Sequence, residues 1–181
     1  MTSEESKLFS RIAAFVFDEG SPDMTFADRL AKDNGWGIFY ALRVIEEYRR
    51  FAFLIVTAGH VAVPSDQVDQ AWHQHLLYTR SWSSFCRDVA RRPIHHDPTK
   101  GGVAEKERFA AEYERTLQSY QKFFGEPPDD IWPNAGVRFG RDLAYRRVNL
   151  KQSIVISRSW LQPFGVAVAV LLGTALLTWI D

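Results

Sequence analysis

The stretch Trp36-Gly-Ile-Phe-Tyr-Ala-Leu-Arg-Val-Ile-Glu-Glu-Tyr-Arg-Arg-Phe-Ala-Phe-Leu-Ile-Val-Thr-Ala58 decides the fold class. Its apolar residues do not alternate in the two-residue rhythm of a strand. Phe39, Leu42, Val44, Ile45, Tyr48, Phe51, Ala52 and Ile55 give it a wide apolar face, so the spacing predicts a long helix over 36–58, ended by Gly59. Toward the N-terminus, Leu8, Ile12, Phe15 and Val16 predict a first helix ending near Gly20-Ser21-Pro22. Thr25 can cap a short second helix that runs through Leu30 and stops near Asn34-Gly35. Toward the C-terminus, Pro64-Ser65-Asp66 is a helix start. Ser65 is a good N-cap, and Asp66 and Asp69 suit the positive end of the helix dipole. That helix is expected to reach about Val89. After a loop over 91–102, Phe109, Tyr113, Leu117, Tyr120 and Phe124 predict a fifth helix from Val103 to Phe124, stopped by Gly125. Glu126 to Asp130 reads as a turn, with Ile131-Trp132-Pro133 packing back on the core. The expectation is an all-α, roughly five-helix domain over residues 1–133.

The chain has 181 residues, 46% of them hydrophobic and 14% aromatic, enough to build a sizeable core. Net charge is zero, which argues against a nucleic-acid partner held by bulk electrostatics. The charge is uneven, with Arg138, Arg141, Arg146, Arg147, Lys151 and Arg158 against the single acid Asp142 over 138–158. One cysteine, Cys86, makes no internal disulfide and fits a reducing compartment. The start, Met-Thr-Ser-Glu-Glu-Ser, lacks the basic and apolar runs of a secretory signal.

Residues 161–180, from Leu161 to Ile180, carry no charge and are long enough to cross roughly 30 Å of hydrocarbon as a helix. Trp160 and Trp179 flank the run, and the basic residues, Arg146, Arg147, Lys151 and Arg158 among them, lie wholly on its N-terminal side. By the positive-inside rule this predicts a tail anchor over 160–181 in the inner membrane, a basic juxtamembrane segment over 134–159, and the helical domain in the cytoplasm.

All five histidines lie between His60 and His96, with Cys86 among them. Imidazole and thiolate are the usual zinc ligands. Geometry divides them, because residues two apart on a helix point about 200° away from each other, so His73 and His75 cannot share one ion on an unbroken helix. Asp69 and His73, four apart, share a face. His75 lies with Val68 and Trp72 and reads as a core histidine. Cys86 lies about 16 Å further along the same helix and reads as a small buried hydrophobe unless the helix ends early. The better cluster is Asp69 and His73 with His95 or His96 from the following loop. Thr99-Lys100-Gly101-Gly102, just before a helix, is a weak candidate for anion binding, since it lacks the Walker spacing.

Val63-Pro64-Ser65, Val68-Asp69, Trp72-His73-Gln74-His75, Tyr78, Cys86 and His95-His96 resemble the domain first noticed in plant glycine-rich domain proteins and in short bacterial relatives. Tyr48 to Phe51, Trp72 to Thr79, His96 to Gly102, Tyr113, Thr116, Tyr120, Phe124-Gly125, Pro128 and Ile131-Trp132-Pro133 extend the resemblance over about residues 25–133. It implies that His73, His75, Cys86 and His95 or His96 belong together as a metal site. The glycine-rich tail is absent and no activity transfers.

The leading functional expectation is a membrane-tethered interaction or assembly module, an accessory subunit of a membrane complex, with the lipid bilayer and another membrane protein as partners and zinc as a structural metal. The alternative is a tethered zinc- or iron-dependent hydrolase-type enzyme using the His/Cys cluster, with Asp69 as base or with Cys86 as nucleophile. A haem-type binder using the same histidines is a third reading.

Overall fold

The long apolar helix is the axis of the domain. The structure, a computed structural model, describes residues 1–18, 23–97, 100–140 and 154–156. The chain divides into two units, Met1–Tyr145 and Arg146–Asp181. In the first, α1 (Ser3–Ala14), α2 (Phe26–Asn34), α3 (Ile38–Thr57), α4 (Asp66–Leu77), α5 (Thr79–Ser84), a π-helical turn (Phe85–Ala90), α6 (Val103–Phe124) and α7 (Ala135–Gly140) follow one another, and no strand occurs among the described residues. The fold is all-α. In the second unit Ile154, Val155 and Ile156 are exposed. Among the described residues no helix is long and apolar enough to cross a membrane. The expected span, with Trp160, Trp179, Arg146, Arg147, Lys151 and Arg158, lies outside them.

Helix α3 packs against α1, α2, α4 and α6. Ala41, Val44, Ile45, Tyr48, Phe51 and Ala52 form its buried stripe. Phe39 and Leu42, expected on that face, are exposed. Phe39 precedes Tyr48 by nine residues, which at about 100° per residue puts it on the opposite side of the helix. The helix boundaries follow local chemistry. Thr2 and Thr25 close capping boxes with Glu5 and Asp28, Ser65 accepts from the Val68 N–H, and Gly35 and Gly125 end their helices at positive φ.

Three expectations need correction. Helix α1 ends at Ala14 rather than near Gly20, because Phe15 takes extended backbone and the rings of Phe15 and Phe17 turn into the core, against Phe85 and Phe26. The helix expected over 66–89 is broken at Tyr78 (φ −83°, ψ 63°), whose ring packs on Phe26 and whose hydroxyl accepts from Arg29 Nε. The helical domain does not end at 133 but continues into the stretch 134–159 expected as a basic juxtamembrane segment. Ala135 is buried, Tyr113 donates to the Pro133 carbonyl, and Phe139 meets the Tyr113 ring edge-on.

Two polar groups lie deep in this apolar interior. Glu47 is 5% exposed. Its carboxylate accepts from Tyr120 Oη (2.7 Å), Trp132 Nε1 (3.0 Å) and Arg50 Nη1 (2.6 Å). Burial, then the Glu47 contact, pushes the Tyr120 phenol up to about 12. His75 is fully buried among the rings of Phe15, Phe17, Phe26, Tyr48, Trp82 and Phe85. Its Nδ1 pairs with Tyr48 Oη at 2.8 Å and its Nε2 with Ser81 Oγ at 3.3 Å, so it bridges the break between α4 and α5. Burial, assisted by the charge of Arg49, lowers its pKa to about 3.

Each group yields a prediction. Glu47→Ala leaves the buried Tyr120 hydroxyl and Trp132 N–H without their acceptor, at about 1–3 kcal/mol each, while the half-exposed Arg50 can turn to water. Urea unfolding will show a loss of that order, and a smaller one for Glu47→Gln, whose carbonyl still accepts. Unfolded His75 takes up its proton near pH 6.5 and folded His75 near 3. The stability it contributes is therefore complete above pH 6.5 and declines as pH falls toward 3, by about 1.4 kcal/mol per unit. Unfolding free energies measured between pH 7 and 4 will fall more steeply for the wild type than for His75→Gln. Parallel curves would remove His75 from the account.

Candidate functional site

Helix phase and one loop build the site. Ser65 starts α4, and the register then brings Asp69 and His73 onto the same outer face of the helix, four residues apart. Their closest approach, Oδ2 to Nδ1, is 3.4 Å. The start of α4 is itself anchored. Val63 N–H donates to Thr116 Oγ1 on α6 at 2.9 Å, and His60 Nε2 pairs with Ser119 Oγ at 2.8 Å. After the π-helical turn, Arg91 adopts a left-handed conformation (φ 56°) and the chain reverses. Ile94 is buried, His95 points to solvent, and His96 turns inward again. His96 Nε2 lies 2.9 Å from Asp69 Oδ1, and its ring stacks at a tilt on Trp72 (4.1 Å) and beside His73 (4.5 Å).

Asp69, His73 and His96 each offer a donor atom, and these atoms lie within 4.8 Å of one another. An ion bound at about 2.0–2.2 Å needs donors roughly 3.3–3.6 Å apart, so small side-chain rotations close the set. His73, whose side chain is 53% exposed, has the freedom to make them. The Asp69 hydrogen bond, working against partial burial, raises the His96 pKa above its ordinary value. A carboxylate that meets one imidazole in this way can hold the ring for proton transfer or stand beside it as a second ligand to a metal.

The three donors open on a cavity of about 650 Å³. Val63, Pro64, Phe109 and Phe139 supply its apolar wall, and Lys106, Arg138 and Asp97 its other charges. Arg138 is engaged already, with its Nη1 at 3.9 Å from Asp66 and its Nε donating to the Pro64 carbonyl at 3.5 Å.

The remaining sequence candidates lie elsewhere. His75 faces the core, on the other side of α4 from His73. Cys86 is a free, partly buried thiol in the π-helical turn, its pKa raised by burial and opposed by the Ile94 N–H. Among the described residues the metal-capable group contains neither residue, nor His95. Thus the ligand set implied by the resemblance is divided: the phase of α4 turns His75 away from His73, and Cys86 lies apart in the π-helical turn. In the candidate anion loop, Thr99 lies outside the described residues and Lys100 is exposed. The Gly101 N–H donates to Glu105 Oε2 at 2.5 Å, so the helix's own acid takes the group an anion would use. Sequence reasoning missed Lys106, Phe109, Arg138 and Phe139 as cavity residues. Lys106 carries a weak signal, four residues after Gly102 on the same helical turn as Val103, whereas Arg138 and Phe139 carry none.

A family model described as UCP032817-like, an uncharacterised family, matches residues 39–117. No curated protein and no solved structure matches the chain. Asp69, His73 and His96 all lie within the matched stretch.

Proposed function

We propose that the helical domain binds one divalent transition-metal ion, zinc or iron, through Asp69, His73 and His96, and that the ion keeps an open coordination position toward the cavity. The observation that carries this is the mutual approach of the three donor atoms at the wall of that cavity. A structural zinc site closes with four protein ligands, whereas a catalytic one uses three and leaves a position for water or substrate. Two histidines and one carboxylate are also the set of non-haem iron sites with open positions. The arrangement therefore favours a metal-dependent enzyme of the hydrolase type over a module with a buried structural metal. In the hydrolytic case the ion lowers the pKa of bound water and polarises the bond under attack. We propose further that residues 161–180 tether the domain to the inner face of the cytoplasmic membrane. The support is the uncharged run with its cationic flank.

Metal analysis of the detergent-purified full-length chain after incubation with zinc or iron(II) will give one ion per chain. Asp69→Asn, His73→Ala and His96→Ala will each weaken binding by more than the ~10–100-fold that loss of an outer partner costs. His95→Ala and Cys86→Ser will leave it unchanged, with circular dichroism verifying that each variant is folded. No uptake by the wild type, or equal losses for His95→Ala and His96→Ala, would overturn the site. In cell fractionation without detergent, the full chain will sediment with membranes and resist carbonate extraction, while a chain ending at Ser159 will not. Full-length protein in the supernatant defeats the anchor.

A further inference from the structure

We infer that the cavity beside Asp69, His73 and His96 takes a small organic anion, a carboxylate or phosphate ester, with its charged end on the ion and Lys106 and its apolar body on Val63, Phe109 and Phe139. This rests on the metal reading above.

Charge argues for the anion. Arg138 is matched by Asp66. That leaves Asp69 and Asp97 as the acids of the cavity, against Lys106 and a dication once the ion is bound. The loaded cavity is then positive, and a negative group is its complement. Lys106 is the cation available to supply the second contact. Arg108, two residues on, spends its guanidinium on Glu105 and Glu112, whereas the Lys106 amine makes no hydrogen bond or ion pair among the described residues although it lines the cavity. A carboxylate or phosphate has oxygens enough to meet both a metal ion and an ammonium group.

Shape and lining argue for an organic body. The volume, about 650 Å³, far exceeds what an inorganic anion fills and lies in the range of pockets that enclose small organic ligands. Two aromatic rings and two aliphatic side chains line the cavity beside the charged groups. Pockets of this kind orient a ligand by its few polar contacts and retain it by its apolar surface. The two rings come from α6 and α7, and each is partly buried against the core, so the wall exists before a ligand arrives.

The test uses full-length protein in detergent, loaded with cobalt(II), whose visible absorption reports changes at the ion. Benzoate and phenyl phosphate are the probes, with acetate and inorganic phosphate as anions lacking a body and benzamide as the body lacking a charge. The two ring-bearing anions are expected to shift the cobalt spectrum and to bind at least about tenfold more tightly than their body-less counterparts, with benzamide silent. Lys106→Ala should weaken both by about tenfold while cobalt affinity stays within about twofold, and Lys106→Arg should restore most of the loss. If cobalt binds and no probe moves its spectrum, or Lys106→Ala binds the probes like wild type, the inference falls and the metal site stands. Equal affinity with and without the ring removes the apolar body. If cobalt itself does not bind, the metal reading fails first and takes this inference with it.

Discussion

A carboxylate with almost no access to water holds the centre of this domain. Glu47 lies on the long apolar helix α3, and the helix tolerates it because Arg50 of its own next turn and two donors from other segments, Tyr120 and Trp132, converge on its oxygens. Tyr120 belongs to α6 and Trp132 to the segment that follows it, so the contact fixes how α6 and its return strap lie on α3. A buried charge left with fewer partners would be costly, which makes the arrangement specific rather than merely cohesive. The functional region inherits that precision. Thr116 and Ser119, one turn and less before Tyr120, hold Val63 and His60, and Val63 sets where Ser65 can start α4. The outer face of α4 then carries the site. The route from Glu47 to Asp69 runs through hydrogen bonds at Tyr120, Thr116 and Ser65 and through the chain itself from Val63 to Ser65.

Two histidines two residues apart have opposite fates for a geometric reason. A helix turns by about 100° per residue, so the rotation that brings His73 beside Asp69 sends His75 into the aromatic core. There the imidazole is kept neutral by burial and is satisfied on both nitrogens, by Tyr48 and Ser81. Its work is structural, since it spans the break at Tyr78 and ties α5 back to α4 and α3. The motif Trp72-His73-Gln74-His75 thus serves four neighbours. Trp72 stacks on His96, His73 approaches Asp69, Gln74 donates to the Phe26 carbonyl, and His75 fills the core.

What could be read from the sequence follows from the range of the interaction involved. The limits of α6, the Thr25 and Ser65 caps, and the stop at Gly125 were legible, because each depends on residues within one turn. So was the shared face of Asp69 and His73, and so was the separate face of His75. The break at Tyr78 was not, since it is stabilised by Phe26 and Arg29, about fifty residues earlier in the chain. The choice between His95 and His96 stayed open for a similar reason. Only the burial of Ile94, a tertiary fact, sets which of two adjacent side chains faces inward. Glu47 gave no local sign either, because the acid beside it, Glu46, is exposed and pairs with Arg49. Phe39 shows the reverse error. Its hydrophobicity suggested burial, but its helical phase turns it to solvent, and phase governs.

The cavity is assembled from several separate parts of the chain. Its donors and Lys106 lie inside the stretch that the UCP032817-like family model matches, while Arg138 and Phe139 lie beyond it on α7. Helix α7 has only six residues and gains its order by packing: Tyr113 holds the Pro133 carbonyl and faces Phe139, and Arg138 reaches back to Pro64 and Asp66 at the head of α4. The same Arg138 contact therefore closes the cavity wall and braces the turn from which Asp69 and His73 are presented. A group that entered the cavity would touch residues braced against the same turn that presents the donors. Such bracing keeps the lining residues and the donors in one fixed relation, which is what precise positioning at a site requires.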